Sequence, residues 1–154
     1  MKVEYINPFI SAGQKILQAV INETPGRKPL SMLPATFTSE QLNVAVGITG
    51  DVQGTVIYGM SLITADKVAS TMIGQPIKTF DQLAASAIAE LCNMISGNAL
   101  MLLADAGFVC DIAPPTLIRG ANCKISTLNI PAIVVPFTIS QGEFKITAGL
   151  KSRK

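Results

Sequence analysis

The 154-residue chain contains no histidine and no tryptophan, and aromatic residues make up only 5% of it. Without histidine, the chain cannot form a Ser-His or Cys-His nucleophile pair or a histidine-ligated metal site. We therefore expect any catalysis to depend on carboxylate, amide, hydroxyl or backbone groups. The sequence contains neither GxGxxG nor GxxxxGK[ST], so no nucleotide-cofactor motif supports a metabolic enzyme.

Charged residues are also scarce, at 14% of the chain against about 25% in an average soluble domain. The net charge is +2, and the lysines and arginines are scattered along the chain. This pattern argues against a nucleic-acid partner. It also predicts that a partner or a second subunit covers part of the apolar surface.

The chain has three cysteines in apolar or small-residue contexts, namely Cys92, Cys110 and Cys123. An odd number without a CxxC motif indicates structural thiols in a reducing compartment. Lys2, Glu4 and Asn7 interrupt any early apolar run, so we expect no secretory signal peptide. These features together predict a cytoplasmic protein.

The length suits a single domain over residues 1–154, and such a chain can bury a sizeable core without a metal or disulfide. In the first half, Asn7 is predicted to cap a helix in which Pro8 is the first residue and which ends near Asn22. Alternating residues over 42–48 and 54–60 predict a hairpin that turns at residues 50 and 51.

Further helices are predicted from their start and stop residues. Thr64 is predicted to cap a short helix that ends at Gly74. Residues 79–82 are typical of a capping box for the longest helix, from Phe80 to Ala106, with Gly107 as its stop.

The remaining chain is predicted to form strands. Two strand-like segments flank Pro114 and Pro115, and a final hairpin spans residues 133–139 and 144–150, with Pro136 expected at an edge or a bulge. The order of elements predicts an α+β fold with long helices packed on an antiparallel β-sheet. Each half runs helix then strands, which suggests a pseudo-duplication.

The longest helix is apolar enough to raise the possibility of a membrane span. However, Glu90 lies near its middle, where a charge costs about 2.5–3.5 kcal/mol on insertion scales. Asn93, Ser96 and Asn98 add further polar cost, and no basic cluster flanks the ends. We therefore expect a core helix of a soluble domain and no membrane partner.

One face of this helix carries an unusual stripe. At about 100° per residue, Ser86, Glu90, Asn93 and Gly97 fall within an arc of about 60°. The opposite face should contact the core and consists of Ala84, Ile88, Leu91, Ile95 and Leu102. The i, i+3 spacing places the Cβ atoms of Glu90 and Asn93 about 5–6 Å apart. Chemistry alone leaves open an ordinary amphipathic helix with an isolated Glu and Asn.

The stripe and its surroundings resemble the CheC/CheX/FliY family of chemotaxis phosphatases. In that family a helix carries Asp or Ser, then Glu four residues later and Asn three further on, followed by a downstream proline. Ser86, Glu90 and Asn93 match this pattern, and either Pro114 or Pro115 can be the proline. The sequences AELCNMISGNA at 89–99, EYINPFI at 4–10 and IAPPT at 112–116 are also similar to the family. A single such helix is typical of the CheX branch.

The resemblance implies a phosphatase that acts on the aspartyl phosphate of a CheY-like response regulator. It implies that Asn93 positions the attacking water and that Glu90 pairs with a lysine of the regulator. Ser86, Gly97 and the two prolines would contact that partner. It further implies a homodimer that has no metal or cofactor of its own, because the regulator carries the divalent cation, expected to be Mg²⁺.

Two other functions stay open at this point. A non-catalytic adaptor or switch protein could bind a regulator through the same helix, with binding but no turnover. A structural oligomeric module would retain no receiver domain at all. Phosphate release from a phosphorylated regulator, with and without Asn93, separates these alternatives.

Overall fold

The computed structural model describes residues 2–34, 36–120, 123–127 and 130–153, apart from the side chain of Thr38. Its helices are α1 (Val3–Ile21), α2 (Leu62–Ile73) and α3 (Gln82–Asp105). Its strands are β1 (Gly26–Arg27), β2 (Ser31–Leu33), β3 (Thr36–Thr38), β4 (Leu42–Gly50), β5 (Val52–Met60), β6 (Cys110–Ile112), β7 (Thr116–Arg119), β8 (Lys124–Ser126), β9 (Ala132–Ile139) and β10 (Gly142–Ser152).

Eight of these strands form one antiparallel sheet. Its main order is β1-β9-β10-β5-β4-β6, with β2 also paired to β9 and β7 also paired to β4. Strands β3 and β8 form a separate antiparallel pair. The predicted α+β fold, with long helices on an antiparallel sheet, is confirmed, as are the hairpin β4–β5 and the final hairpin β9–β10.

The three helices cover one face of the sheet. Because side chains alternate along a strand, the even-numbered residues of β4 and β5 point to this face. They form one core with the apolar sides of the helices, which includes Phe9, Leu17, Val44, Tyr58 and Ile88. The opposite face carries a smaller apolar cluster of Phe37, Ile57, Ile125 and Ala132.

The predicted start of α1 is wrong. The helix begins at Val3 with Lys2 as its N-cap, and Pro8 lies inside it. Tyr5 and Ile6 are buried, so core packing holds the turn that precedes the proline in helical form. Pro8 costs one backbone hydrogen bond there, and the burial of two large side chains outweighs that loss. The C-terminal boundary is confirmed, since Asn22 is a left-handed C-cap with φ 58°.

The caps predicted for α2 and α3 are also wrong. Ser61, not Thr64, caps α2, and its hydroxyl accepts a hydrogen bond from the Thr64 N–H. Asp81, not Thr79, caps α3, and its carboxylate accepts from the Ala84 N–H at 2.8 Å. In both cases a better acceptor stands next to the first helical residue, and Ser and Asp are preferred N-caps.

The end of α3 follows the predicted stop. The helix ends at Asp105, one residue before the predicted Ala106. Gly107 has φ 96°, and its N–H bonds to the Ala104 carbonyl while that of Phe108 bonds to the Leu103 carbonyl. This pair of bonds is a Schellman motif, which requires a left-handed residue that glycine adopts without strain.

Pro136 does not lie at an edge of the sheet. It lies within β9, opposite Lys145 of β10, and β1 and β2 pair with the other side of β9. Those two short strands stop on either side of the proline, so the sheet accommodates it at a gap in the pairing. The Pro136 carbonyl accepts from the Lys28 N–H at 3.1 Å within that gap.

Helix α3 is long and apolar enough to cross a membrane, with a mean hydropathy of 1.4 over its most apolar window. In the fold its apolar side is buried against α1 and the sheet. Part of its apolar surface is therefore covered, whereas Leu83, Met94 and Met101 remain exposed.

Candidate active site on helix α3

The stripe of helix α3 faces away from the core. Ser86 and Glu90 are exposed, whereas Asn93 and Gly97 are partly exposed. A Cβ added at Gly97 would meet no atom within 4 Å, so the surface beside the two polar side chains is open. Within the described ranges, the side chains of Glu90 and Asn93 take part in no hydrogen bond or ion pair. Both are therefore free to interact with another molecule.

The buried side of α3 is broader than the sequence pattern predicts. Ala84, Ile88, Leu91 and Ile95 are fully buried, as expected. Leu102, expected in the core, is only partly buried. Additional buried residues are Cys92, Ser96, Ala99 and Leu103. They are buried because α3 packs against α1 and α2 as well as the sheet, so three neighbours widen the covered arc.

A buried hydrogen bond joins α3 to the sheet. The hydroxyls of Tyr58 on β5 and Ser96 on α3 lie 2.6 Å apart, and both residues have no solvent exposure. Burial raises the pKa of Tyr58, so its hydroxyl remains protonated. This directional bond adds to the burial of the apolar side of α3, and the two together set the rotation of the helix and the direction of the stripe.

The hydrogen bond between Tyr58 and Ser96 was not predicted from the sequence. The available signal was Ser96 itself, a polar residue at a core-facing angle of an otherwise apolar helix. Buried polar groups need a partner, so a hydroxyl or amide on the sheet could have been anticipated. Which strand would provide it depended on the tertiary fold.

The two candidate prolines lie in the connection between β6 and β7. Both strands pair with β4, and the Ala113 N–H donates to the Gly47 carbonyl at 2.9 Å. Pro114 is exposed and Pro115 is partly buried. Since β6 and β7 both contact α3, the fold brings the prolines to the sheet edge that flanks the helix. Either residue stays a candidate for the downstream proline.

Three large apolar side chains lie on the same exposed side of α3. Leu83, Met94 and Met101 are 58%, 38% and 67% exposed. At 3.6 residues per turn they lie within about 40° of Glu90 around the helix axis. The stripe predicted from the sequence did not include these three residues, although their helical spacing from Glu90 could be read from the sequence.

The arrangement suits a site that is completed by another protein. An amide can both accept and donate hydrogen bonds, and it requires no tuned pKa. Among the described residues, no three His, Cys, Asp or Glu side chains are grouped so that they could hold a metal ion. The thiol of Cys92 is buried beneath the stripe, where burial raises its pKa. The polar side chains of the stripe are thus one carboxamide, one carboxylate and one hydroxyl.

Comparisons with known proteins agree on one family. The family model described as chemotaxis phosphatase CheX matches residues 42–138. The chain is 32% identical, over 99% of both sequences, to the CheY-P phosphatase CheX of Thermotoga maritima.

Solved structures give the same result. A CheX chemotaxis protein from Desulfovibrio desulfuricans matches with a TM-score of 0.86 and 28% identity, over 97% of this chain and 100% of the other. CheX in the CheX-CheY-BeF3-Mg complex of Borrelia burgdorferi matches with a TM-score of 0.78 and 30% identity, over 98% and 100% of the two chains. The chain therefore belongs to the CheX family of chemotaxis phosphatases.

Proposed function

We propose that this chain hydrolyses the aspartyl phosphate of a CheY-type response regulator, with helix α3 as the catalytic element. The observation that carries the proposal is that the side chains of Glu90 and Asn93 are accessible to solvent and have no partner among the described residues. The other side of their helix is buried in the core. Membership of a phosphatase family and the 30% identical CheX found in complex with CheY support it.

Asn93 positions the attacking water in this mechanism. Its carboxamide oxygen accepts a hydrogen bond from the water, while its NH₂ group can donate to a phosphoryl oxygen. The water oxygen forms a bond to phosphorus as the bond from phosphorus to the aspartate oxygen breaks. A proton of the water passes to the phosphate, so the products are inorganic phosphate and a free aspartate. An aspartyl phosphate is an activated anhydride, and positioning therefore provides most of the catalysis.

Glu90 acts in binding rather than as a base. A carboxylate that approaches an anionic phosphate pocket is repelled unless a cation receives it, and a lysine of the regulator is that cation. Mg²⁺ belongs to the regulator, where it neutralises charge on the phosphoryl group. Ser86, Gly97 and one of the two prolines border the contact, since they lie on the same exposed helix face or on the adjacent sheet edge.

The decisive experiment measures phosphate release from a phosphorylated CheY. Asn93→Ala should lower kcat on the order of 100-fold, as expected for the loss of a preorganised positioning group, and leave the thermal unfolding transition unchanged. Asn98→Ala is the matched control, because it removes a second partly exposed amide from the same helix. Activity in Asn93→Ala equal to that of the wild type would sink the amide mechanism. Binding without turnover in the wild type would favour an adaptor.

We also propose that the chain functions in the cytoplasm as a homodimer. Leu30 and Met32 are 46% and 67% exposed on and beside the short strand β2, and this is an apolar surface that a second copy can cover. Other candidates for the dimer contact are the final hairpin and residues 113–139, of which 121, 122, 128 and 129 lie outside the described ranges. Sedimentation at micromolar concentration should give twice the chain mass, and Met32→Lys should reduce it. A fluorescent fusion recovered in the membrane fraction would contradict the location.

A further inference from the structure

The exposed side of α3 is asymmetric around its centre. Viewed down the axis of α3, Asn93 lies about 60° to one side of Glu90, next to Ser86 and Gly97. Met94 lies about 40° to the other side. Leu83 and Met101 extend the apolar side toward the two ends of the helix. These three side chains, Leu83, Met94 and Met101, are called the apolar ridge below.

The apolar ridge is a concentration of exposed apolar surface. Isolated exposed hydrophobic side chains are common. Here, of the eight large hydrophobic residues exposed among the described residues, three lie on this one line. From Leu83 to Met101 the ridge extends about 27 Å, at 1.5 Å per residue. That length is comparable with the diameter of a small protein domain.

Charge cannot provide attraction along this helix. Its sequence contains no Lys or Arg, and its two charged residues, Glu90 and Asp105, are both acidic. A phosphorylated receiver pocket is anionic as well. The free energy of docking must therefore come mainly from apolar contact, apart from the single pairing of Glu90 with a lysine.

We propose that the apolar ridge is the docking surface for the phosphorylated regulator and sets its affinity, while Asn93 sets the rate of hydrolysis. The inference rests on the proposed function. A receiver domain that brings its phosphoryl group to Asn93 also covers the adjacent ridge, because both lie within about 100° of arc on the exposed side of α3. Methionine side chains adapt to different surfaces, which suits a contact that forms and releases in each catalytic cycle.

The experiment separates affinity from turnover. The probe is CheY from the organism that carries this chain, held in its active state with beryllofluoride and Mg²⁺. Leu83→Ala and Met101→Ala should each raise its Kd by about tenfold, because each removes about 1.4 kcal/mol of apolar burial. In assays with phosphorylated CheY, KM should rise in parallel and kcat should stay within about twofold. Raising the salt from about 50 to about 500 mM should change Kd little.

A matched control is available on another helix. Ile63 on α2 is 67% exposed, as Met101 is, and lies outside the ridge. Ile63→Ala should leave both Kd and KM unchanged. Asn93→Ala should show the reverse pattern from the ridge variants, with a lower kcat and an almost unchanged Kd.

Two results would overturn the inference, and a third would overturn the proposed function on which it rests. Unchanged Kd in both ridge variants, with Asn93→Ala inactive, would remove the ridge and leave the phosphatase proposal standing. A change in the sedimentation mass of the ridge variants, without a change in Kd, would assign the ridge to contact between copies of the chain. A wild-type chain that binds CheY but releases no phosphate would instead contradict the proposed function.

Discussion

The two faces of the central sheet are covered in different ways. On one face, three helices enclose a continuous apolar core in which Ile88, Leu91 and Ile95 have no solvent exposure. On the other, the small β3–β8 pair covers only part of the sheet, and a cavity of about 440 Å³ lies beside it. Charged side chains border that cavity, with Lys145 2.6 Å from Glu40 and Lys28 2.8 Å from Glu143.

The helix-covered face therefore provides most of the structural support, whereas the opposite face is partly accessible to solvent. The helix-covered face buries the larger apolar area and holds α3 so that its outer side presents Glu90 and Asn93. The open face is stabilised by a small apolar cluster and by ion pairs that are accessible to water. Such pairs contribute little each. Substitutions of similar size should therefore have unequal effects on the two faces.

The largest effect is expected from a matched pair of truncations. Ile95→Ala removes a fully buried side chain from the helix-covered face and should lower the free energy of unfolding by about 2–5 kcal/mol. Ile125→Ala removes a side chain that is 9% exposed from the small apolar cluster on the open face. It should lower the free energy of unfolding by about half as much. Urea unfolding of both variants measures the difference. Equal losses would show that the two faces contribute alike.

A smaller effect is expected from the buried hydrogen bond between β5 and α3. Tyr58→Phe removes the hydroxyl 2.6 Å from Ser96 and should cost about 1 kcal/mol, the net value of a typical hydrogen bond. For a chain of this length, that corresponds to about 2–4 °C in Tm. Because the bond helps to set the direction of the stripe, kcat should also fall severalfold.

A double variant tests whether the loss of stability comes from this one hydrogen bond. Combined with Ser96→Ala, Tyr58→Phe should be non-additive, since both substitutions remove the same interaction. Strictly additive losses in Tm would mean that the two hydroxyls stabilise the fold independently.

The smallest effect on stability is expected from the ion pairs of Glu143 on the open face, and it depends on pH. The hydrogen bond from Lys28, followed by that from Lys145, lowers the pKa of Glu143 below its ordinary value of 4.5. A lowered pKa means that the folded state favours the ionised carboxylate. The stabilisation is therefore present above pH 4.5 and is lost as the pH falls through the folded-state value.

Glu143→Gln tests this contribution. At about pH 7 it should cost less than about 1 kcal/mol, because the side chain is 32% exposed and water screens the pairs. At about pH 3 the difference from the wild type should shrink toward zero. Denaturant unfolding at both pH values measures it, and a difference that grows on acidification contradicts the assignment.

Patterns within short stretches of sequence predicted much of this molecule. The alternation along β4 and β5 specified a hairpin because each strand buries one face. The stop at Gly107 could be predicted because a left-handed residue is a local requirement. The exposed positions of Ser86 and Glu90 followed from helical periodicity alone. In each case the determining residues lie within a few positions of one another.

Other features were decided only by the tertiary structure. Burial of Tyr5 and Ile6 extends α1 ahead of Pro8, and the gap between β1 and β2 admits Pro136 into the sheet. The burial of α3 in the core, together with the bond between Tyr58 and Ser96, which lie 38 residues apart, sets the direction of the stripe. The sequence by itself determined which side chains share the outer face of α3, because helical geometry is local. Only packing between residues distant in the chain determined where that face points.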